Sequence, residues 1–281
     1  MYRWLRKWTL HILLAAVAIL MLNIIATVVV EAPKVSNVAS SAIPDVPGRI
    51  STPAQPALLE YIEVVDSCGP NHETACVVGR TGPGESYPSV ERLRTGMVLR
   101  TSGTIESGGR TWYKIIFDEW LRYPDRIGKD LYVAADYVIP ILDQGPQDLG
   151  GHAGATTSKR ILIDRSEQIL YAYAGDTLFV QLRISTGLEF TPTPRGTFTV
   201  YKKTPTRYMQ GPLQGISDQY YDLPGVPWNL YFTEQGAVIH GAYWHDEFGK
   251  QWSHGCVNLP PEEAKKLYRW ADLGTPVIVR D

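Results

Sequence analysis

The sequence carries almost no net charge and shows no evident internal repeat. Lysine and arginine together number 27, and aspartate and glutamate number 29, which gives a formal net charge of -2 over 281 residues. A chain without an excess of basic residues lacks the electrostatic pattern of a nucleic-acid-binding protein, so we expect no nucleic acid among its partners. Its length suits about two modest domains with connecting segments.

Cysteine is scarce as well, with three residues in the whole chain. Cys68 and Cys76 lie close together, with turn-forming glycine, proline and asparagine between them. The pair predicts either a disulfide that closes a small loop or two free buried thiols, and the export signal described next favours the disulfide. Cys256 is then the unpaired one. A free thiol is a liability in an oxidising compartment unless the protein uses it.

The N-terminal segment has the pattern of a membrane anchor. Residues 1–8 are basic and aromatic, and the run from Thr9 to Val30 carries no charge. Such a run is long enough to cross a bilayer as one helix, and the basic cluster keeps residues 1–8 in the cytoplasm and the remainder outside. The alternative is a cleaved signal peptide, but the run is long for one and Val38-Ala39-Ser40 is a weak cleavage site. We therefore predict an uncleaved transmembrane helix at 9–30 and a single-pass protein of the cell membrane.

Residues 31–57 and 58–140 predict a spacer followed by a small β module. The first stretch is rich in proline, alanine and serine, which is typical of an extended, semi-rigid linker. The second shows short apolar runs separated by turns, as in Tyr61–Val65 and Thr111–Phe117. Several short strands in so few residues predict a small barrel or sandwich.

Parts of this module resemble a bacterial SH3-like domain. The resemblance rests on segments 77–87, 93–99, 112–115 and 131–138. The closing Leu131-Tyr132-Val133 matches the usual final strand only approximately. The resemblance implies binding to the cell wall or to a partner, or simple spacing, and a module without a ligand of its own remains open.

The C-terminal part of the chain, residues 159–281, follows a second linker at 141–158 and predicts mainly β structure. One segment, Pro261–Trp270, looks helical, because proline stands at its start and Gly274 follows its end. The predicted strands are 160–164, 168–173, 178–184, 197–201, 226–232, 237–240 and 275–280.

The candidate chemistry is concentrated in residues 240–258, which hold three histidines and the last cysteine. A cysteine attacks a carbonyl as its thiolate, so it needs a nearby base. His240 ends an apolar strand, which is a rigid mount for such a base, and the loop after it is long enough to bring Cys256 back. His254 precedes Cys256 by two residues, and on an extended segment their side chains would share a face.

The glycine beside the cysteine adds a second element of acyl-transfer chemistry. The backbone N–H groups of Gly255 and Cys256 are candidates to bind a developing oxyanion. Ser253 and Asn258 are candidate supporting residues that would hold an imidazole or the loop. Nucleophile, base and oxyanion donors together predict an acyl-transfer site.

The motif His240-Gly241 … Ser253-His254-Gly255-Cys256-Val257-Asn258 is similar to the signature of the L,D-transpeptidase catalytic domain. The upstream segments Ser185-Thr-Gly187 and Thr191-Pro-Thr-Pro-Arg-Gly-Thr-Phe198 also match that family's pattern. The resemblance covers 159–281 and implies a β-sandwich with one or two helices, no cofactor, and peptidoglycan stem peptides as donor and acceptor. It also implies that Cys256 is the nucleophile and that His240, oriented by the Gly241 carbonyl, is the general base. His254 would help to build the pocket.

The resemblance implies a defined reaction. Cys256 would attack the carbonyl before the terminal D-alanine of a tetrapeptide stem, release that D-alanine, and pass the acyl group to an amine of a second stem as a 3→3 crosslink. Water as acceptor would make the protein an L,D-carboxypeptidase, and a protein lysine would make it an anchoring enzyme. Two further readings stay open, a cysteine peptidase on ordinary peptides and a non-catalytic wall-binding scaffold. Trapping of Cys256 by a carbapenem would favour the transpeptidase over the peptidase.

Other residues in this region have weaker expectations. A zinc site is disfavoured, because the histidine and cysteine spacings fit no common zinc pattern, and we expect no metal. His245 is expected in the loop or pocket without a catalytic role. Aromatic side chains that are candidates for the substrate groove, each equally compatible with the core, are Tyr231, Tyr243, Trp244 and Trp228.

Overall fold

A computed structural model describes residues 57–128, 130–150, 158–215 and 218–281. The predicted cytoplasmic segment 1–8, the anchor 9–30 and the spacer up to residue 56 lie outside these residues. In the part that is described, no helix is long and apolar enough to span a membrane. Within these described residues, the structure confirms a mainly β protein with one α-helix.

The N-terminal module, which we define as residues 59–143, is a seven-stranded antiparallel sheet. Its strands are β1 (Leu59–Val64), β2 (Val77–Arg80), β3 (Ser89–Leu93), β4 (Val98–Ser107), β5 (Arg110–Ile115), β6 (Leu131–Ala134) and β7 (Val138–Asp143). They are arranged in the order β3-β2-β6-β5-β4-β1-β7. β7 therefore runs three residues into the segment that the sequence predicts as a linker.

β4 bends so that it can join two sides of the module. Its first residues pair with β1, and the rest pair with β5, with a shift in register between Thr101 and Thr104. Gly103 lies in this shift with φ of 129°, a conformation that only glycine adopts easily. The Thr101 hydroxyl donates to the Lys114 carbonyl at 2.9 Å, which satisfies an acceptor where the ladder is interrupted. A turn at Gly108 and Gly109 closes the β4–β5 hairpin, with both residues at positive φ.

The C-terminal part forms two five-stranded sheets that pack around one core. The first sheet has the order β11-β10-β9-β17-β12, and the second has the order β16-β15-β14-β13-β8. The strands are β8 (Gln147–Asp148), β9 (Lys159–Asp164), β10 (Ile169–Ala174), β11 (Thr177–Arg183), β12 (Gly196–Thr199), β13 (Lys202–Gln210), β14 (Asp222–Tyr231), β15 (Val238–Gly241), β16 (Val257–Leu259) and β17 (Pro276–Arg280).

The helix α1 (Pro261–Trp270) has the predicted bounds. Proline stands at its first position, and Glu262 and Glu263 lie in the first turn, where negative charge favours the helix dipole. Its buried face, Ala264, Leu267 and Tyr268, belongs to the same core cluster as strands of both sheets.

One predicted strand is shorter than expected, and one strand was missed. The strand predicted at 197–201 corresponds to β12, which ends at Thr199. β13 itself was not predicted, since its sequence mixes lysine, threonine, proline and arginine and does not alternate cleanly. Its long antiparallel pairing with β14 holds it in place, so tertiary pairing overrides a weak local pattern.

The N-terminal module and the C-terminal sheets share their cores. Tyr61 and Val98 of the module belong to the C-terminal core cluster, and Val226 and Tyr243 belong to the module's cluster. The contact is close, because a Cβ added at Gly225 would lie 3.0 Å from the Val98 carbonyl oxygen. Buried apolar contact of this kind makes the two parts stabilise one another.

Candidate active site

One cleft collects most of the predicted catalytic residues. It encloses about 740 Å³, and its lining includes His240, Ser253, His254, Gly255, Cys256 and Asn258. β15 and β16 are parallel neighbours in which His240 pairs with Asn258. Because Cys256 comes directly before β16, this pairing brings the cysteine to the strand that carries the histidine.

His240 is held with one ring nitrogen available. The side chain is fully buried, and its Nδ1 donates a hydrogen bond to the Gly241 carbonyl oxygen at 3.0 Å. Its Nε2 is buried and has no hydrogen-bond partner among the described residues. Burial lowers the pKa of His240 to about 3, although the bond to Gly241 acts in the other direction. The imidazole is therefore neutral at pH 7, with a free lone pair on Nε2.

Packing explains why a glycine follows His240. A Cβ at Gly241 would lie 2.7 Å from Cγ of Pro227 and 3.0 Å from Cα of Pro261. No side chain fits between these two prolines without moving β15, the strand that carries the histidine. The His-Gly pair thus combines an imidazole with the close approach that positions its supporting carbonyl.

Cys256 is a free, half-buried thiol. Its Sγ lies 3.8 Å from the Gly236 carbonyl oxygen. Burial raises the pKa of the Cys256 thiol, and the positive charge of Arg207 and a backbone hydrogen bond from Val238 oppose that rise. At pH 7 the site therefore holds a neutral thiol and a neutral imidazole, so a thiolate at this position would have to form by proton transfer to a base.

A bend, not an extended segment, brings His254 and Cys256 to the same cleft. Gly255 has φ of +116°, and its N–H donates to Ser253 Oγ at 3.1 Å. Ser253 Oγ in turn donates to the Cys256 carbonyl oxygen at 2.5 Å. The expectation of strand-like alternation is therefore wrong for these residues. Of the two predicted oxyanion donors, the Gly255 N–H already donates to Ser253, so the Cys256 N–H is the one that remains.

The upstream segments 185–187 and 191–198 hold this bend in place through hydrogen bonds. Gly187 N–H donates to Thr193 Oγ1 at 2.9 Å, and Thr193 Oγ1 donates to the Cys256 carbonyl oxygen at 3.4 Å. Gly187 also forms a β-bridge with Ser253. Ser185 exchanges two backbone hydrogen bonds with Asn258, at 3.0 and 2.9 Å. The residues between Ser185 and Thr193, which are distant in sequence from the cysteine loop, thus hold both ends of that loop.

Comparison with known families agrees with this geometry. Residues 158–279 match the family model described as YkuD, L,D-transpeptidase catalytic domain. This part of the chain is an L,D-transpeptidase catalytic domain.

Similar proteins carry the same designation. The chain is 35% identical over 95 residues to the probable L,D-transpeptidase 3 of Mycobacterium tuberculosis. The aligned region covers 32% of this chain and 35% of that protein. It is 30% identical to the solution structure of the Enterococcus faecium L,D-transpeptidase catalytic domain acylated by ertapenem, over 45% of this chain and 100% of that one, with a TM-score of 0.39. A mutant of the Enterococcus faecium L,D-transpeptidase is 29% identical, over 44% of this chain and 50% of that one, with a TM-score of 0.40. The chain thus spans about a third of the length of the curated relative that it matches.

Two further histidines of the L,D-transpeptidase domain have distinct surroundings. His254 stacks on Tyr221 with ring centroids 6.4 Å apart, so it forms part of the cleft wall. His245 is buried, and its Nε2 is hydrogen-bonded to the side-chain amide of Asn258 at 2.8 Å. Burial lowers the pKa of His245 to about 4. Asn258, predicted as a support for an imidazole or the loop, therefore holds His245.

The predicted groove aromatics divide between the cleft and the core. Trp244 lines the cleft with its ring 5.7 Å from that of His240. Trp228 is fully buried against Tyr268 of α1, and the Tyr243 hydroxyl donates to the Pro224 carbonyl inside the shared core. Tyr231 lies outside the cleft lining as well, beneath the Arg207 side chain. The sequence gives these aromatics the same β-rich context, and only the packing separates them.

Several cleft residues were not predicted. Arg207 and Tyr221 come from the β13–β14 hairpin, and Trp120 and Arg122 come from the loop between β5 and β6 of the N-terminal module. Because β13 was missed, the sequence offered no signal for Arg207.

The module loop that carries Trp120 is attached to the far end of the β13–β14 hairpin. Tyr123 donates to Gln210 Oε1 through its N–H at 2.8 Å and to the Pro212 carbonyl through its hydroxyl at 2.9 Å. Arg126 Nη1 donates to the Gly211 carbonyl at 2.6 Å. The module therefore contributes directly to one wall of the cleft that contains His240 and Cys256.

One cluster has the ligand types of a metal site. The sulfurs of Cys68 and Cys76 and a ring nitrogen of His72 lie within 4.8 Å of one another. The two cysteines are joined as a disulfide, and sulfurs in a disulfide are not thiolate ligands. The cleft residues around Cys256 do not form such a group among the described residues.

Proposed function

We propose that the protein is a membrane-anchored L,D-transpeptidase that crosslinks peptidoglycan outside the cytoplasm. The observation that carries the proposal is that His240 and Cys256 line the same cleft. The first has a buried Nε2 with no hydrogen-bond partner in the described part of the chain, and the second is the chain's free thiol. A neutral imidazole and a free thiol that line one cleft are the two groups that general-base activation of a nucleophile requires.

In the proposed reaction His240 Nε2 takes the thiol proton while Cys256 Sγ bonds to the carbonyl carbon before the terminal D-alanine. The carbonyl electrons move to its oxygen, and the Cys256 N–H is placed to bind that oxyanion. When the electrons return, the carbon–nitrogen bond breaks and His240 gives its proton to the departing amine of D-alanine. The stem is left as a thioester on Cys256.

The second half of the reaction repeats these roles. His240 removes a proton from the amine of a second stem peptide, and that amine attacks the thioester carbonyl. The carbon–sulfur bond breaks, the thiol is restored, and the new amide is a 3→3 crosslink. His254 and Tyr221 form the wall of the cleft, and Ser253 supports the loop from behind.

The other parts of the chain have proposed supporting roles. Residues 9–30 anchor the protein in the cell membrane, with 1–8 in the cytoplasm, and 31–57 hold the remainder away from the bilayer. Residues 58–140 form an SH3-like domain, 141–158 a linker, and 159–281 the catalytic domain. The contribution of Trp120 and Arg122 to the cleft supports a direct role of the SH3-like domain at the substrate.

The proposal is tested with the full chain, as wild type and as Cys256→Ala, incubated with purified disaccharide-tetrapeptide. Mass spectrometry should show loss of D-alanine together with a crosslinked dimer in the wild type and neither in the variant. A carbapenem should add its mass to the wild type alone, since the other two cysteines form a disulfide. Loss of D-alanine without a dimer would instead indicate an L,D-carboxypeptidase. Retained crosslinking by Cys256→Ala would refute the assigned nucleophile.

A further inference from the structure

A cationic side chain lies in the cleft beside Cys256 and has no ion-pair partner among the residues that the structure describes. Arg207, on β13, lines the same cleft as Cys256. Its Nη1 is buried and has no hydrogen-bond partner within the described ranges. No acidic group of those residues lies within 4 Å to form an ion pair with it. A buried donor that lacks an acceptor costs free energy, and a ligand that supplies the acceptor recovers it.

The described neighbours of Arg207 include one aromatic ring and one acidic group, Glu119. Its guanidinium lies over the Tyr231 ring, with Cζ 5.5 Å from the ring centre. Glu119 is near enough for Arg207 to lower its pKa, yet burial raises the pKa of this carboxyl more strongly. The positive charge of Arg207 also lowers the pKa of both Cys256 and His240, which places it within electrostatic range of the reacting pair.

A second cation of the cleft is less suited to the same task. Arg122 comes from the N-terminal module and is exposed, and its guanidinium already stacks on Trp120 with Cζ 5.6 Å from the ring centre. Water screens an exposed charge, whereas a partly buried guanidinium binds a carboxylate strongly and in a defined geometry. Arg207 is therefore the cation that the geometry selects.

The proposed substrate presents one anion beside the bond that breaks. The α-carboxylate of the terminal D-alanine is attached to the carbon next to the departing nitrogen, only a few bonds from the carbonyl that Cys256 attacks. A cation close to Cys256 would meet this group in any donor that ends at that D-alanine. A donor that continues beyond this residue would present an uncharged amide there.

We propose that Arg207 binds the α-carboxylate of the departing D-alanine and so selects donors that end directly after the scissile bond. This inference rests on the proposed function and adds the residue that recognises the terminal carboxylate of the donor stem. Arg207 acts by binding and orienting the donor, while Cys256 and His240 carry out bond making and proton transfer.

The experiment compares two donors, disaccharide-tetrapeptide with a free terminal carboxylate and the same compound with that group as a primary amide. Initial rates of D-alanine or D-alaninamide release give kcat/KM for the wild type, Arg207→Gln and Arg207→Lys. The matched control is Lys202→Gln. Lys202 is a cation on the same strand and over the same Tyr231 ring, at 5.4 Å, but it does not line the cleft.

The wild type and Lys202→Gln should prefer the free acid by about 10- to 100-fold, the range of a hydrogen bond between charged partners. Arg207→Gln should reduce this preference to within about twofold by slowing the free acid alone, and Arg207→Lys should retain part of it. The amide donor keeps the test valid if the variant is less stable, since a merely structural defect slows both donors equally.

Two results would overturn the inference alone. Equal use of both donors by the wild type would show that the carboxylate is not read, and an undiminished preference in Arg207→Gln would show that another residue reads it. If that undiminished preference comes with an equal loss of rate on both donors, it would assign Arg207 a structural role. No release from either donor by the wild type would overturn the proposed function and this inference with it.

Discussion

Replacing Gly187 by alanine should displace the turn that supports Cys256. An added Cβ would lie 2.1 Å from the Thr191 carbonyl oxygen, 2.6 Å from the Thr193 nitrogen and 2.8 Å from the Pro192 carbonyl carbon. All three are backbone atoms, so no side chain can rotate out of the way. Since ordinary contacts between such atoms exceed 3 Å, the 191–193 turn must move by about 1 Å.

The cost can be estimated from this geometry. Overpacking in a closed site destabilises a protein by about 1–3 kcal/mol, and a clash with fixed backbone belongs at the upper end. For a unit of this size, about 3 kcal/mol lowers the melting temperature by roughly 6–12 °C. The turn also carries Thr193, which donates to the Cys256 carbonyl oxygen. A shift of about 1 Å at a reacting group slows catalysis by about 100-fold.

Thermal unfolding by circular dichroism and the rate of D-alanine release would measure the two effects on one preparation. Gly128→Ala is the matched control, because that glycine is exposed and an added Cβ there meets nothing within 4 Å. The control should stay within about 0.5 kcal/mol of the wild type. If Gly187→Ala melts and reacts like the control, the reasoning that this glycine is required by close packing is refuted.

Two further predictions concern stability. The double variant Cys68→Ser/Cys76→Ser should lose about 2.5 kcal/mol and melt roughly 5–10 °C lower, because the disulfide closes a loop with a sequence separation of 8; an unchanged melting temperature would contradict this. The pKa of His240 is lowered from 6.5 to about 3 by burial, so its stabilising contribution is complete above pH 6.5 and is lost as the pH falls towards 3. Between pH 6.5 and pH 4, the free energy of unfolding measured in urea should therefore fall by about 1.4 kcal/mol per pH unit more in the wild type than in His240→Asn. Parallel pH dependences of the two proteins would show that His240 is not buried as a neutral imidazole.

Much of the catalytic domain could be predicted because its signals are local. A proline at the start and a glycine after the end bound α1, and the predicted helix matches it. The His-Gly and Ser-His-Gly-Cys segments are contiguous in sequence, so their meeting in one cleft follows from a strand and a returning loop. The glycine after His240 is visible in the sequence, but the reason for it, the close approach of Pro227 and Pro261, appears only in the fold.

The remainder depends on contacts between residues that are distant in sequence. β13 has no clean alternation, and its pairing with β14 and β8 defines it. Arg207 enters the cleft only because of that pairing, and Trp120 only because the module loop is attached to the hairpin. Trp228 and Trp244 have similar aromatic neighbourhoods in sequence, yet one fills the core and the other lines the cleft.

The shared core has a consequence for how such proteins can be cut and recombined. The segment that matches the family begins at residue 158, but Val226 and Tyr243 beyond that point are covered by the N-terminal module, and β8 before it completes a sheet. Truncation at the family boundary would uncover those apolar side chains and leave β13 as an open sheet edge, a surface prone to self-association. A chimera that exchanges the module must therefore exchange its contact residues on β14 and around Tyr243 as well. The segment that matches the family model is smaller than the structural unit that can be transferred to another protein without exposing its core.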